Sequence, residues 1–432
     1  MHRSITGQYL TRYQRVAAGD EGADLLPVTG AQRRFVLVRS LDPAGRPDTV
    51  PLFFAFPRGT VDVERLRAAA THLAAVHPAL RSRAYVVRGT PVLRPHQPDV
   101  PVERVRRGPG EDAHTALRRV LGSWSADGPP LRLFLAEGDA ETAEDVLAVV
   151  LDHAACDGQS LARLVEELGA AYRYGLGPDD ASPAEVTAEL TAYREAVLLQ
   201  LDAEHRASSP GALAYWGERL RTVHERAPQP RAQLPAAGVL PTGSAELTLP
   251  APELGVPFPA LLDACRAAAA VLYGTPRMPP IGYPWGGRPA GAPPVLGCFL
   301  NTVVFPAATD AVRPNPDLTA TQWWDDLDRA DTPFDEVVHA ARSAGSRWSG
   351  QLDGLLTVDD ARRRPVLRLG DVPGREVYVD GRQVRGPFAV SVVQGGELRL
   401  RMVWDRAVLD DGAAREAFAA LCGELRATAP VG

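Results

Sequence analysis

The first 178 residues alternate between the spacing of amphipathic helices and short apolar runs. Helical spacing predicts helices over residues 28–38, 61–77 and 160–172, and the second of these must end before Pro78. The first helix begins near Thr29 or Gly30. Short apolar runs predict strands over residues 50–56, 131–135 and 146–151. The pattern therefore predicts a mixed α/β unit in this part of the chain.

The same mixture returns after a turn-rich boundary, GLGPDDASP at residues 175–183. Helices are predicted over residues 212–221, 261–273 and 413–425. Strands are predicted over residues 295–305 and, as a pair joined by the turn Gln394-Gly395-Gly396, over residues 388–404. Residues 228–243, rich in Pro, Ala and Gln, are predicted to form a mobile loop. We therefore expect an N-terminal lobe over residues 1–178 and a C-terminal lobe over residues 179–432.

Composition indicates a folded chain that does not bind nucleic acid. The 432 residues are 45% hydrophobic and 23% charged, which is ordinary for globular proteins. All 47 basic residues are Arg, and 53 acidic residues leave a net charge of −6, unlike the basic footprint of nucleic-acid binders. No run approaches the ~18 apolar residues of a membrane span, and the N-terminus lacks the apolar core of a signal peptide. We therefore expect no membrane contact and a cytoplasmic location.

The four cysteines indicate neither a disulfide framework nor a zinc site. Cys156, Cys265, Cys298 and Cys422 are widely separated and include no CxxC pair. We expect them to be reduced thiols, mostly in the core, and we expect no metal site.

The strongest candidate for chemistry is the segment at residues 149–161, VVLDHAACDGQSL. An apolar strand runs into Asp152 and His153, and Asp157-Gly158 turns the chain into a helix that begins near Ser160. An imidazole can accept a proton near neutral pH, and a glycine allows close approach to backbone N–H donors. This arrangement suits acyl transfer, with Asp157 orienting the loop, although a His at the end of a strand is more often structural than catalytic.

Several short motifs place this segment in a family context. His153, Asp157 and Gly158 form an HxxxDG element, which resembles the active-site motif of the chloramphenicol-acetyltransferase-like superfamily. Other elements resemble, in family order, motifs of the condensation domains of nonribosomal peptide synthetases: Thr29-Gly30-Ala31-Gln32-Arg33-Arg34, Leu41-Asp42-Pro43, Ala214-Tyr215-Trp216 with Leu220, Gly287-Arg288-Pro289, Gly297-Cys298-Phe299-Leu300-Asn301-Thr302 and Pro333-Phe334-Asp335-Glu336-Val337-Val338. The resemblance covers nearly the whole chain.

The resemblance implies an α/β fold of two chloramphenicol-acetyltransferase-like lobes arranged as a V-shaped pseudodimer. It places the active site at their junction, in a tunnel that admits the phosphopantetheine arms of a donor and an acceptor carrier protein. It also implies the roles of particular residues. His153 would be the catalytic base or the positioner of the tetrahedral intermediate, and Asp157 and Arg288 a structural ion pair. Gly158 would give close backbone approach, with Asp152 and Ser160 in support and Asn301, Trp285 and Cys156 lining the tunnel.

One position departs from the family pattern. The common motif is HHxxxDG, and here Asp152 replaces the first His. Asp152, Asp157 and Ser160 also satisfy DxxxxDxxS, the signature of heterocyclization relatives, although those relatives normally lack the His and the GxFxNT element. Alternatively, the adjacent carboxylate could raise the pKa of the His153 imidazole by favouring its charged form.

The expected function is condensation of a carrier-bound acyl or peptidyl thioester with an amine or hydroxyl nucleophile, in nonribosomal peptide or related biosynthesis. The expected partners are donor and acceptor carrier proteins and the small-molecule substrates. The phosphopantetheine arrives on those carriers, so the chain needs no cofactor of its own, and we expect a monomer. The alternatives are a degenerate domain that recruits another enzyme or carrier and, with less support, heterocyclization. The chain is expected to be either free-standing or cut from a larger synthetase.

Overall fold

The computed structural model describes residues 4–19, 24–41, 48–125, 127–138, 143–224, 239–250, 255–309 and 316–428. The described helices are α1 (Ile5–Ala17), α2 (Gly30–Leu41), α3 (Val63–Val76), α4 (Pro78–Arg81), α5 (Ala113–Gly122), α6 (Gly158–Tyr174), α7 (Pro183–Ala207), α8 (Pro210–Arg219), α9 (Phe258–Tyr273), α10 (Pro316–Leu327), α11 (Phe334–Ser343) and α12 (Asp411–Thr428).

The described strands are β1 (Thr49–Pro57), β2 (Ser82–Val87), β3 (Thr90–Pro95), β4 (Val102–Val105), β5 (Leu131–Ala136), β6 (Glu144–Asp152), β7 (Thr242–Pro250), β8 (Pro280–Gly286), β9 (Leu300–Pro306), β10 (Gly354–Asp360), β11 (Arg368–Leu369), β12 (Val372–Pro373), β13 (Arg375–Glu376), β14 (Phe388–Gln394) and β15 (Glu397–Asp405). The predicted α/β class is confirmed.

The chain divides into two compact units, and each contains parts that are distant in sequence. The first unit comprises Met1–Arg206, Gly286–Leu300 and Pro365–Val379. The second unit comprises Ala207–Trp285, Asn301–Arg364 and Asp380–Gly432.

The first unit is built on a five-stranded sheet in the order β13-β1-β6-β5-β4. Strand β6 has antiparallel neighbours on both sides, with Asp152 opposite Thr49 of β1 and Leu151 opposite Leu131 of β5. Every residue of β6 from Asp145 onward is buried, as expected for a central strand covered on both faces. The sheet therefore delivers Asp152 and His153 at the end of its most enclosed strand.

The second unit is built on a six-stranded sheet in the order β7-β15-β14-β10-β8-β9. Strand β10 runs parallel to both β14 and β8, whereas β15 is antiparallel to β14 and β7. The predicted hairpin over residues 388–404 is β14 and β15, and the predicted closing helix is α12.

The bounds of the two units differ from those of the predicted lobes. Helix α7 places Tyr193, Val197 and Leu201 in the core of the first unit, so this unit extends through Arg206 rather than ending at residue 178. Two later segments also return to the first unit, and sequence periodicity carries no signal for such returns. The assignment of separate roles to the two parts of the chain stays a prediction.

Two predicted segments need correction or comment. The strand expected over residues 295–305 begins only at Leu300, because the backbone N–H groups of Gly297 and Phe299 donate to the side chains of Ser160 and Asp157 instead of to a neighbouring strand. Most of the loop expected over residues 228–243 lies outside the described residues, and its last two residues begin β7.

The described ranges contain neither a membrane-spanning helix nor a cluster of metal ligands. None of the helices there combines the length and apolarity needed to cross a bilayer. No group of three or more His, Cys, Asp or Glu side chains in those ranges could hold a metal ion. All four cysteines are buried, which confirms their predicted place in the core.

A buried network around His77 fastens α6 within the first unit. The imidazole Nε2 lies 2.5 Å from Glu167 Oε2 of α6, and its Nδ1 lies 2.9 Å from Glu189 Oε1 of α7. Arg163 donates to both carboxylates and to the carbonyl of Pro294. Burial opposes the charged imidazole, but the two carboxylates outweigh it and raise the pKa of His77 above its ordinary value.

This network predicts that part of the stability depends on pH. A raised pKa in the folded state gives stability that is complete below the unfolded value of 6.5 and is lost as pH rises through the folded value. We expect the free energy of unfolding, measured by urea titration, to fall as the pH rises above 6.5, and His77→Gln to reduce that fall. At about pH 6 the variant should lose about 3 kcal/mol.

His72→Gln is the matched control, because His72 Nδ1 contacts the carbonyl of Gly177 rather than a carboxylate. It should keep the wild-type pH dependence. An unchanged pH dependence in His77→Gln would contradict the assignment.

Candidate functional site

Two aspartates shape the turn that follows β6. The Asp152 Oδ1 accepts a hydrogen bond from the backbone N–H of Ala154 at 2.9 Å, which closes the short 3-10 turn His153–Ala155. Asp157 is the N-cap of α6, and its Oδ1 accepts from the backbone N–H of Ser160 at 2.9 Å. The five-residue spacing of Asp152 and Asp157 therefore places one N-cap before the 3-10 turn and the next before α6. His153 is the first residue of the 3-10 turn.

Asp157 forms a buried ion pair with Arg288. Arg288 Nη1 lies 3.0 Å from Asp157 Oδ2 and 3.2 Å from Oδ1, and the two side chains are 9% and 0% exposed. Asp157 Oδ2 also accepts from the backbone N–H of Phe299 at 3.0 Å. Every donor around this carboxylate is thus supplied by the protein, as a buried charge requires.

Ser160 joins the helix to the segment that carries Arg288. Its hydroxyl donates to Asp157 Oδ1 at 2.9 Å and lies 2.8 Å from the carbonyl of Gly297. It also accepts from the backbone N–H of Gly297 and from Arg288 Nη2, each at 3.0 Å. Ser160, Asp157 and Arg288 therefore act as one unit that fixes residues 288–299 against the start of α6.

His153 is half-buried and lies between an aromatic ring and a thiol. Its imidazole stacks on Phe35 with the ring centroids 4.8 Å apart and an angle of 30° between the planes. Its Nδ1 lies 4.0 Å from the sulfur of Cys298, and its backbone N–H donates to the carbonyl of Asp48 at 2.9 Å. These contacts fix the plane of the ring and turn Nδ1 toward Cys298.

Asp152 is paired with Arg39, whose Nη2 lies 2.6 Å from Asp152 Oδ2. Burial raises the pKa of the Asp152 carboxyl, and Arg39 opposes that rise. Because this guanidinium offsets the carboxylate, Asp152 presents little net charge to its neighbour His153. An increase in the pKa of the imidazole by Asp152 stays a prediction.

Gly158 and Cys156 lie in opposite environments. Gly158 is exposed at the start of α6, and a Cβ placed there would meet no atom within 4 Å. Cys156 is 1% exposed, belongs to the core of the first unit, and directs its thiol to the carbonyl of Asp152 at 3.7 Å.

Asn301 and Trp285 belong to the second unit. The Asn301 amide donates to the carbonyls of Ala330 and Thr332 at 2.7 and 2.6 Å and accepts from the backbone N–H of Phe334 at 3.1 Å. Asn301 thus holds the entry to α11, while Trp285 packs half-buried against the core of that unit. Tunnel-lining roles for Asn301, Trp285 and Cys156 stay predictions.

Thr29 and Gln32 belong to one of the sequence motifs, but the sequence predicted no contacts for them. Gln32 Nε2 donates to the carbonyl of Ala154 at 2.7 Å, and the Thr29 hydroxyl donates to the carbonyl of Cys298 at 2.8 Å. Sequence reasoning also missed the contacts of Phe35 and Arg39. The available signal was their spacing from Gln32, because residues at i, i+3 and i+7 share one helix face.

Known proteins resemble this chain in sequence and in fold. No family model matches the chain. The chain is 29% identical, over 68% of its length, to CymA of Salinispora arenicola, a probable non-canonical nonribosomal peptide synthetase. The aligned part is 4% of that relative, and the chain spans between 2% and 16% of the length of the curated relatives it matches.

Two solved structures have the same fold. The X-domain from teicoplanin biosynthesis, solved in a complex with OxyB, matches with a TM-score of 0.68 and 19% identity, covering 93% of both chains. The first condensation domain of the calcium-dependent antibiotic synthetase matches with a TM-score of 0.67 and 17% identity, covering 93% of this chain and 95% of that one. The chain has the condensation-domain fold, and the resemblance predicted from its motifs is confirmed.

The buried ion pair predicts a large and specific loss of stability. Arg288→Met leaves the Asp157 carboxylate buried without its cation, and we expect the free energy of unfolding to fall by about 3–5 kcal/mol in urea titrations. Adding Asp157→Asn should recover part of that loss, because the uncompensated charge is then removed.

The exposed pair of Arg375 with Glu144 provides the control, since its side chains are 64% and 38% exposed. Arg375→Met should cost less than about 1 kcal/mol. Equal losses of unfolding free energy in Arg288→Met and Arg375→Met would contradict the prediction that the buried pair is the more stabilising one.

Proposed function

We propose that the chain transfers an acyl or peptidyl group from a phosphopantetheine thioester on a carrier protein to an amine or hydroxyl nucleophile. The condensation-domain fold and the similarity to a peptide synthetase support this class of reaction. One observation carries the assignment of the site. Each aspartate of the motif is bound to its own arginine, which leaves the imidazole of His153 to transfer the proton.

The reaction moves one acyl group and one proton. The nucleophile attacks the thioester carbonyl carbon, a C–N or C–O bond forms, and the C–S bond breaks. The proton released by the nucleophile passes through His153 to the departing thiolate. With Nδ1 turned toward Cys298, Nε2 is the nitrogen that we assign to this transfer. Once protonated, His153 can also donate a hydrogen bond to the tetrahedral intermediate.

The other residues of the motif position the backbone and do not transfer protons. Asp157 is saturated by donors from Arg288, Ser160 and Phe299, so its role is to hold α6 in place. Gly158 leaves open space beside the first turn of α6, where a thioester can approach the backbone closely.

Recruitment of another protein is the second candidate function. The structural likeness to an X-domain solved with OxyB favours it. The same ion pairs would then maintain the fold without any acyl transfer. The two candidates differ in whether His153 is needed for a chemical product.

The test combines carrier proteins loaded with acyl and aminoacyl groups with wild type or His153→Ala, and follows both carriers by intact-protein mass spectrometry. We expect the wild type to move the acyl mass from donor to acceptor and His153→Ala to slow the transfer by about 100-fold or more. His72→Ala is the matched control and should transfer normally.

Equal transfer by wild type and His153→Ala would refute the assignment of the site. An additional loss of water from the product would indicate heterocyclization. Binding of the carriers without transfer, for every loaded group tested, would favour recruitment.

The open space at Gly158 gives a second prediction. Gly158→Ala should leave the free energy of unfolding within about 0.5 kcal/mol of wild type, because the added Cβ meets nothing, yet should lower transfer by occupying the approach to the backbone. Gly211→Ala is a matched control in the first turn of α8, where a Cβ also meets nothing within 4 Å. Normal transfer by Gly158→Ala would argue against substrate approach at this face.

A further inference from the structure

One face of α2 contacts three consecutive residues of the turn that carries His153. Gln32, Phe35 and Arg39 follow the spacing i, i+3 and i+7, which aligns their side chains on one side of the helix. Gln32 donates to the carbonyl of Ala154, Phe35 stacks on the ring of His153, and Arg39 pairs with the carboxylate of Asp152.

The helix itself is anchored at its first turn. Thr29 and Gln32 exchange hydrogen bonds, since the backbone N–H of each is bonded to the side-chain oxygen of the other. The backbone N–H of Gly30 donates to both oxygens of Glu204, at 2.9 and 3.1 Å. A Cβ on Gly30 would lie 2.9 Å from Glu204, so the fit at this end is close.

We propose that α2 sets the orientation of the His153 imidazole, with Phe35 and Arg39 as positioning residues that act through it. This inference rests on the proposed role of His153 as the proton carrier. Phe35 fixes the plane of the ring by contact with its face. Arg39 acts through Asp152, the residue before His153. Its guanidinium favours the ionised carboxylate and holds it in place as the acceptor for the Ala154 N–H that closes the turn.

Arg39 is the sensitive member of this arrangement. Asp152 is 9% exposed at its side chain, and a buried carboxylate that loses its cation takes up a proton or moves toward water. Either response weakens the bond from Ala154 and loosens the turn. The aspartate in place of the family's first His is thus matched by a specific partner on α2.

A surface pocket beside the pair makes the role of Arg39 testable by chemical rescue. Arg39, Asp152 and Ala154 line it, and so does Arg83, a half-buried residue of β2 that does not pair with Asp152. In Arg39→Ala, added methylguanidinium can reach the vacated place next to Asp152. Arg83→Ala is the matched control, because it removes the same side chain from the same pocket and leaves the Asp152 pair intact.

The experiment reads the imidazole directly, by NMR of the whole chain labelled with ¹³C in its His rings. The nine His residues make such spectra simple, and the His153 signals are those lost in His153→Gln. We expect Arg39→Ala to shift the His153 ring signals and to lower kcat for carrier-to-carrier transfer by about 10- to 100-fold with KM little changed. Methylguanidinium below denaturing concentrations should reverse both effects, and Arg83→Ala should show neither.

Phe35→Leu is the second variant and tests the proposal even if Arg39→Ala does not fold. It keeps an apolar side chain on α2 and leaves the charges of Arg39 and Asp152 unchanged. The His153 signals should therefore shift because the ring contact is lost, whereas Phe35→Tyr should keep the wild-type signals. A folded Arg39→Ala or Phe35→Leu with wild-type His153 signals overturns the proposal. Shifted signals together with normal transfer by His153→Ala would instead refute the proposed function and leave the positioning role standing.

Discussion

The carboxylate of Asp157 meets the guanidinium of Arg288 where almost no water reaches either group. A buried charge is costly unless each of its lone pairs or protons finds a partner, and here the surroundings supply all of them. Ser160 and the backbone of Phe299 complete the shell around the carboxylate, and the carbonyl of Val295 accepts from Arg288. The ion pair therefore holds residues 288–299 against the start of α6. Those residues include Cys298, whose sulfur contacts the imidazole of His153.

Both aspartates near His153 are engaged in ion pairs. Each acidic residue of the turn is neutralised by an arginine from a different part of the chain, one from α2 and one from the segment before β9. The imidazole lies between these two pairs in sequence and contacts the ring of Phe35 and the sulfur of Cys298. If His153 carries the proton as proposed, it works beside fixed charges that already have partners, so the turn need not rearrange when the ring changes its own charge.

Much of this could be predicted from the sequence, because the informative signals are local. Apolar periodicity located β1, β6, α3 and α6, and the order of short motifs identified the fold. What escaped prediction depends on contacts between distant residues. The strand expected from Val295 starts late because Asp157 and Ser160, at the start of α6, accept hydrogen bonds from the backbone of Phe299 and Gly297. The pairing of Arg39 with Asp152 links residues 113 positions apart. Hydrophobic spacing cannot report such contacts, since it records only which face of an element is covered.

The division into units has a consequence for the order in which the chain is made. The backbone passes from one unit to the other at five points, after residues 206, 285, 300, 364 and 379. The first unit is therefore incomplete on the ribosome until residue 379 has been added, and Asp157 is synthesised 131 residues before its cation. During that interval the turn bearing His153 exists without the partner that lets its neighbouring carboxylate be buried. Neither unit can be excised or exchanged as one continuous piece of gene, because any single cut leaves strands or ion-pair partners on the wrong side.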